Sequence, residues 1–279
     1  MNELLSAAGI EGNLGASLTD LMALFLIVGA RPLGFVLLHP IFGHYGINTG
    51  LLRGAVLVAM TFPVLPSASA QIAANPELLS ASSIPIALAR ELVIGALLGL
   101  ICGVPFWIAI TAGEILDTQR GASMATLSDA TGGQSSVSGM LFFLASVLAL
   151  TASGLLIPAL FGPLMQSYQL FPAPAEFRLP DIAQAQSALR LLDDILRGGL
   201  ILAFPILIPM LIAEVVIAIS AKYVQQLNPV FMAMTVKQIV FVLLLLLYVP
   251  IMVRYVAGLG RNGAFGAEAL GTFLQGVIR

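Results

Sequence analysis

The chain has 279 residues, of which 59% are hydrophobic and 9% charged, with a mean hydropathy of +1.01, far from the roughly 25% charged composition of soluble domains. Twelve Lys+Arg against fourteen Asp+Glu leave a net charge of −2 at pH 7, which excludes a basic surface large enough to hold a nucleic acid. A single cysteine, Cys102, excludes an internal disulfide and cannot alone furnish a four-ligand zinc site.

The first twenty residues carry Glu3, Glu11 and Asp20 but no Lys or Arg, so they do not read as a cleavable signal, which opens on positive charge. Beyond them the apolar runs are long and continuous, unlike the ten-residue alternating segments of an outer-membrane barrel. Helices must therefore span the membrane, because in hydrocarbon each backbone N–H and C=O needs a partner within its own segment. A span takes about 20 mostly apolar residues. The runs predict helices near 18–44, 50–74, 83–112, 137–166, 198–222 and 232–258, the fourth lying in a run too long for one plain crossing. Prolines interrupt nearly all of them: Pro32 and Pro40, Pro63 and Pro66, Pro105, Pro158 and Pro163, Pro205 and Pro209, and Pro250. Each removes a helix hydrogen bond and crowds the preceding turn, so kinked or broken helices are expected. Neighbouring protein or a water-filled cavity would satisfy the freed carbonyls.

Two stretches depart from apolar helix. Thr111–Val137 is dominated by Gly, Ser, Thr and Ala, with Glu114, Asp117, Arg120 and Asp129 as its charges, and reads as a flexible, closely packing loop. Gln166–Arg197 opens on a Pro-rich run. From Asp181 it predicts an amphipathic helix, with Ile182, Ala185, Leu189 and Leu192 at spacings of three or four residues. Loop charges nearly balance, so the positive-inside rule assigns no orientation.

Charges also sit inside or beside the apolar runs: Arg31, Arg90 with Glu91, Glu214, Lys222, Lys237 and Arg254. On insertion scales each costs about 2.5–3.5 kcal/mol at a bilayer centre, so they should face protein, water or the interface. Arg90 and Glu91 point about 100° apart on a helix and should pair with other helices rather than with each other. Snorkelling at a membrane edge is the plainer account for Arg31, Lys222 and Arg254.

Catalytic constellations are missing from the sequence. His39 and His44 stand five apart without the companions of a metal site. Ser138-Gly139 lacks the nucleophile-elbow pattern, and no histidine follows residue 44. Neither a phosphate-binding loop nor a dinucleotide fingerprint occurs. The chain reads as a passage or part of one, without enzyme activity or a cofactor. A small-solute secondary transporter or permease is the competing expectation, since discontinuous helices with embedded charges also build transporter sites; an inverted internal repeat would favour it, and none is evident.

Four blocks carry a family resemblance. They are Arg31-Pro-Leu-Gly-Phe-Val-Leu-Leu-His-Pro-Ile-Phe-Gly43 with Leu51–Val56 and Pro63; Arg90-Glu-Leu-Val-Ile-Gly-Ala-Leu-Leu-Gly-Leu100; Gly113-Glu-Ile-Leu-Asp-Thr-Gln-Arg-Gly-Ala-Ser-Met-Ala125 with Asp129; and Gln225-Gln-Leu-Asn228 with Phe231 and Lys237. In this order and spacing the chain resembles the FliR/SctT family, the T subunit of the type III secretion export gate. Its Asp117-x-Gln119-Arg120-Gly121 core is more similar to injectisome members than to flagellar ones. Asn228 is followed by Pro229, and Thr235-Val236 precede Lys237; both depart from the family pattern and leave the geometry of that turn open.

The resemblance implies an all-α membrane protein whose kinked and broken helices assemble as hairpins within a hetero-oligomeric gate of the bacterial inner membrane. Residues 1–197 would resemble the R-type, FliP-like subunit, and residues 198–279 the S-type, FliQ-like hairpin. Partners implied are those two subunits, a U-type switch subunit, a V-type export ring and unfolded secreted proteins. Much of such an assembly stands above the bilayer plane, so hydropathy misreads depth. The 114–136 loop would plug the channel, with Glu114, Asp117, Gln119, Arg120, Gly121, Ser123, Met124 and Asp129 as its site residues. Arg90, Glu91, Glu214, Lys222 and Lys237 are the expected intersubunit charges.

Overall fold

Apolar runs of this length leave helix as the way to pair their backbone groups internally, and helix is what they form. The computed structural model describes residues 14–43, 49–74, 83–121, 136–170, 172–173, 182–223 and 228–261, and no strand occurs among them. In chain order the helices are α1 (Leu14–Leu38), α2 (Pro40–Gly43), α3 (Gly50–Thr61), a 3-10 turn (Phe62–Val64), α4 (Leu65–Ala74), α5 (Ile84–Gln119), α6 (Val137–Ala152), α7 (Leu156–Leu170), α8 (Ile182–Ser220) and α9 (Pro229–Arg261). Five segments are long and apolar enough to cross a membrane: Leu21–Leu38, Gly50–Ala70, Ile84–Gln119, Leu191–Ser220 and Pro229–Tyr255. The bent pair α6–α7 would make a sixth. The molecule is an all-α membrane protein.

Most of the prolines lie inside helices rather than at their breaks. Pro32, Pro105, Pro163, Pro205, Pro209 and Pro250 all lie inside continuous helices. Breaks fall at His39 ahead of Pro40, at the 3-10 turn that holds Pro63, and at Ser153–Leu155. The third break has no proline: Gly154 adopts φ +69, and the Leu155 N–H reaches back to the Leu150 carbonyl, an ending that a side chain would strain. Pro32 illustrates how an interior proline is accommodated. It cannot donate to the carbonyl of Val28, four residues earlier, and that oxygen instead accepts from the buried Tyr168 hydroxyl at 2.7 Å.

Two further expectations are corrected. α5 continues through Gln119, past the predicted end at 112. The predicted amphipathic segment and the span after it are one helix, α8, of 39 residues.

The described residues fall into two compact units. One gathers the residues up to Gly103 with those from Ile157 to Ala185; the other gathers Val104–Leu156 with the described residues from Gln186 onward. In the first, α1 packs on α3 and α4, and it meets the first half of α5 backbone to backbone. A Cβ at Gly95 would run into the Arg31 carbonyl oxygen, and one at Gly99 into that of Phe35. Such close approach is how membrane helices gain van der Waals contact where water supplies no hydrophobic drive.

In the second unit α6 packs along α9. The core joins Ile108, Ala112 and Leu116 of α5, Phe142 of α6, Leu202, Ile206 and Met210 of α8, and Phe241, Tyr248 and Met252 of α9. A Cβ at Gly113 would strike the Gly139 backbone, so α5 and α6 also touch main chain to main chain. The turn into α9, left open by Asn228-Pro229, has a simple geometry. Asn228 caps the helix, its Oδ1 accepting from the Val230 N–H at 3.2 Å, and Pro229 takes the first helical position, where no N–H is needed.

Candidate functional site

The Asp-x-Gln-Arg-Gly core lies at the C-terminal end of α5, where four helix ends of the second unit meet. Asp117 is buried there. Its Oδ1 accepts from Arg120 Nε at 2.9 Å and pairs with Arg120 Nη2 at 2.6 Å. Its Oδ2 accepts from the Ser136 hydroxyl at 2.6 Å and from the Ser138 N–H at 3.1 Å. Ser136 is the N-cap of α6, its Oγ also accepting from the Gly139 N–H at 2.8 Å. Arg120 lies 4.5 Å over the Phe241 ring of α9 and donates to Gln238 Oε1 at 3.1 Å. A flat guanidinium can both stack and fork in this way, where a lysine could not.

One turn away, Lys237 of α9 donates to the Gln119 carbonyl at 2.9 Å and pairs with Glu214 of α8 at 2.8 Å. Gln119 Nε2 donates to the same Glu214 carboxylate at 3.0 Å. A cation on the last carbonyls of α5 satisfies an orphaned acceptor and opposes the negative end of the helix dipole. Gly121 follows at φ +77, the left-handed conformation that commonly ends a helix. Beside this network is a cavity of about 490 Å³ lined by Thr118, Gln119, Glu214, Pro229, Met234 and Lys237 among others.

The placement redraws the expected loop. Glu114, Asp117 and Gln119 are helical, and Arg120 and Gly121 form the turn that ends α5. The predicted loop therefore starts about two turns too early. Polar composition misled because the last turns of α5 are held by tertiary partners, Lys237 above all, that lie more than a hundred residues away. Ser123, Met124 and Asp129 fall outside the described residues. Ser136, Ser138, Gln238 and Phe241 were not foreseen. Of these, only Ser136 carried a local signal, a capping residue directly before an apolar run.

A second ionic cluster lies in the first unit. Arg31 of α1 and Glu91 of α5 pair at 2.7 Å with both side chains fully buried. Arg31 Nη1 donates to Ser167 Oγ at 3.1 Å, and its Cζ sits 4.1 Å over the Tyr168 ring. Arg31 is thus not snorkelling at an edge; it joins α1, α5 and α7. Glu91, Glu214 and Lys237 each meet a charged partner within this chain, whereas Arg90 is half-buried and Lys222 exposed. His44 lies outside the described residues. No group of three or more His, Cys, Asp or Glu among the described residues is arranged to hold a metal. Chemically, both clusters fix helices.

Comparison with known proteins gives a consistent picture. Residues 22–262 match the family described as bacterial export proteins, family 1. The chain is 30% identical over 229 residues to the surface presentation of antigens protein SpaR of Salmonella typhimurium, covering 80% of this chain and 83% of that one. It is 31% identical over 226 residues to the secretion system apparatus protein SsaT of the same organism, covering 79% and 84%. It is 29% identical over 216 residues to the Yop proteins translocation protein T of Yersinia pestis, covering 77% and 80%.

Proposed function

The chain belongs to family 1 of the bacterial export proteins, and from that premise we propose that it is a pore-forming structural subunit of a type III secretion export gate in the inner membrane. It is a multi-pass membrane component of a protein-secretion apparatus. In the finer reading it conducts unfolded proteins without catalysing a reaction. Residues 1–197 pack like an R-type subunit and residues 198–279 like an S-type one, beside copies of both, with U-type and V-type components as further neighbours. The segment between Gly121 and Ser136 plugs the passage.

The observation that carries this reading is where the most specific motif lies. Where the Asp-x-Gln-Arg-Gly core borders the cavity, at Gln119, its polar groups are already paired with Glu214 and Lys237, rather than left open to a solute as in a permease site. The core binds four helix ends together at both roots of the 122–135 connection, so the motif serves the placement of that connection.

Exposure adds support. The apolar spans of α8 and α9 are only 22% and 17% buried within the chain, against 67% for α5. Glu214 leaves 45% of its side chain uncovered on one of them. An ionised carboxylate on a lipid face is costly, so this flank faces sibling subunits or water. Arg90 in the first unit and the exposed Lys222 in the second are further intersubunit charges.

Co-expressed with two small membrane subunits of the same system, the protein should purify as one stable complex. A monodisperse, solute-binding monomer would overturn the reading in favour of a permease. Deleting residues 122–135, which spares the motif itself, should make cells carrying the complex leak ions. Unchanged conductance with secretion intact would remove the plug assignment.

A further inference from the structure

We propose that the cavity beside Glu214 is a socket for a lysine or arginine side chain of a neighbouring subunit. The proposal rests on the reading of the chain as one subunit of a larger gate and gives one of its contacts a place and a chemistry.

The socket lies within the second unit, its walls coming from the end of α5, from α8 and from the first turns of α9. Glu214 is the open group of that wall. Both of its contacts, from Lys237 Nζ at 2.8 Å and Gln119 Nε2 at 3.0 Å, fall on Oε2. Among the described residues its Oε1 accepts nothing, and 45% of its side chain is uncovered. The other polar groups of the wall are taken. The Thr118 hydroxyl donates to the Glu114 carbonyl, and Lys237 is held by two acceptors with only 9% of its side chain exposed. The start of α9 offers little to an anion, since Pro229 has no N–H and the Val230 N–H is capped by Asn228. What the cavity presents is therefore one free edge of a carboxylate, and a charged acceptor is met most strongly by a cationic donor.

The rest of the lining decides what carries the cation. Ala218, Pro229, Val230, Ala233 and Met234 are apolar, and a hydrated ion would leave them wet. A lysine or arginine lays its methylene stem along such a surface and keeps its head on the charge. The unbranched Met234 adapts to an incoming stem. A lipid amine fits less well, because it brings its own phosphate to the same carboxylate. At about 490 Å³ the space lies in the range that holds drug-sized molecules, ample for one long side chain. The opening is within a neighbour's reach, because α8 and α9 bury only 22% and 17% of their apolar spans inside this chain.

The test maps the occupant first. A small aliphatic diazirine side chain at Val230, an exposed residue of the lining, is photolysed in the assembled complex in native membranes, and the adducts are sequenced by mass spectrometry. The expected adduct lies on a sibling subunit within one helical turn of a lysine or arginine. Adducts on lipid alone, or on this chain alone, would overturn the socket and leave the export-gate reading standing. A chain that assembles with no sibling subunit would overturn that reading, and the socket with it.

Two variants then probe shape and charge, with complex yield measured against the level of the chain in the membrane. Ala218→Trp fills the socket from an exposed position and should lower complex yield with the membrane level unchanged. Glu214→Arg should lower it by at least about tenfold, since like charges set together at an interface are strongly disfavoured. Glu214→Gln should change it by no more than about fivefold, as for a partly exposed pair. Replacing the crosslinked partner cation by Glu in the Glu214→Arg background puts the same three charges, Lys237 included, back in exchanged places and should restore the yield. Wild-type yield from both Ala218→Trp and Glu214→Arg would overturn the socket, and so would an exchange that restores nothing.

Discussion

Arg31 and Asp117 each anchor a cluster that joins three or more helices, yet the clusters differ in how they treat water. The Arg31–Glu91 pair is sealed, with neither side chain exposed, and its described neighbours include the Tyr168 ring and the Ser167 hydroxyl. The network at the end of α5 is graded, from the nearly buried Asp117–Arg120 pair to Glu214 with 45% of its side chain uncovered. Ions that are fully dry resist any change that removes one partner, because the other is left charged with no solvent. Ions at a wet joint can exchange partners cheaply. The first cluster suits a fixed frame, the second a part that must respond to its neighbours.

The largest effect should come from breaking the sealed pair on one side. Glu91→Leu removes the carboxylate that pairs with the fully buried Arg31 guanidinium, at about 3–5 kcal/mol. Thermal unfolding of the purified complex in detergent should show this as a large drop in melting temperature and a loss of yield. Adding Arg31→Leu to Glu91→Leu should recover much of the loss, since an apolar pair of similar volume has no charge to desolvate. A double variant as damaged as the single would mean that the pair is not the frame described here.

A smaller effect is expected from Gly95→Ala. The added methyl would meet the Arg31 main chain, and relieving it by moving α1 off α5 should cost about 1–3 kcal/mol, as for an overpacked core. Because Arg31 rides on the displaced backbone, the variant should weaken the sealed pair and leave the joint at Asp117 intact. The same melting measurement checks it; a neutral Gly95→Ala would show that the two helices tolerate a wider spacing than their contacts suggest.

What was legible in the sequence follows the same division. The helices were readable because each is specified by its own run of apolar residues, and the expected positions of α1 and α9 were close. The charges were visible too, at Arg31, Glu91, Glu214 and Lys237, because a charge stands out in such a chain. Their partners were not, since Arg31 and Glu91 are 60 residues apart and no local pattern joins them. The end of α5 was misplaced for a related reason: Gly, Ser and Thr signal a loop locally, and it takes Lys237 and Glu214 from other helices to hold that stretch helical. The break at Gly154 was not legible because it carries no proline, while most of the prolines sit inside continuous helices. The motif was therefore recognisable as important before its work, tying the two roots together, could be seen.

The smallest effect sharpens the comparison most. Glu214→Gln removes one charge from the exposed end of the joint, and an amide oxygen can still accept from Lys237, which also keeps its bond to the Gln119 carbonyl. Partly exposed ion pairs contribute about 0.2–1 kcal/mol, so the melting temperature of the complex should barely move. Lys237→Met should cost more, because it strips the end of α5 of its donor as well as the ion pair. If Glu214→Gln instead destabilised the complex as severely as Glu91→Leu, Glu214 would have to be as dry in the assembly as Arg31 is in this chain, covered by a neighbouring subunit with no water between. That outcome would erase the graded exposure on which the contrast between frame and joint rests, and would turn the joint into a second fixed point.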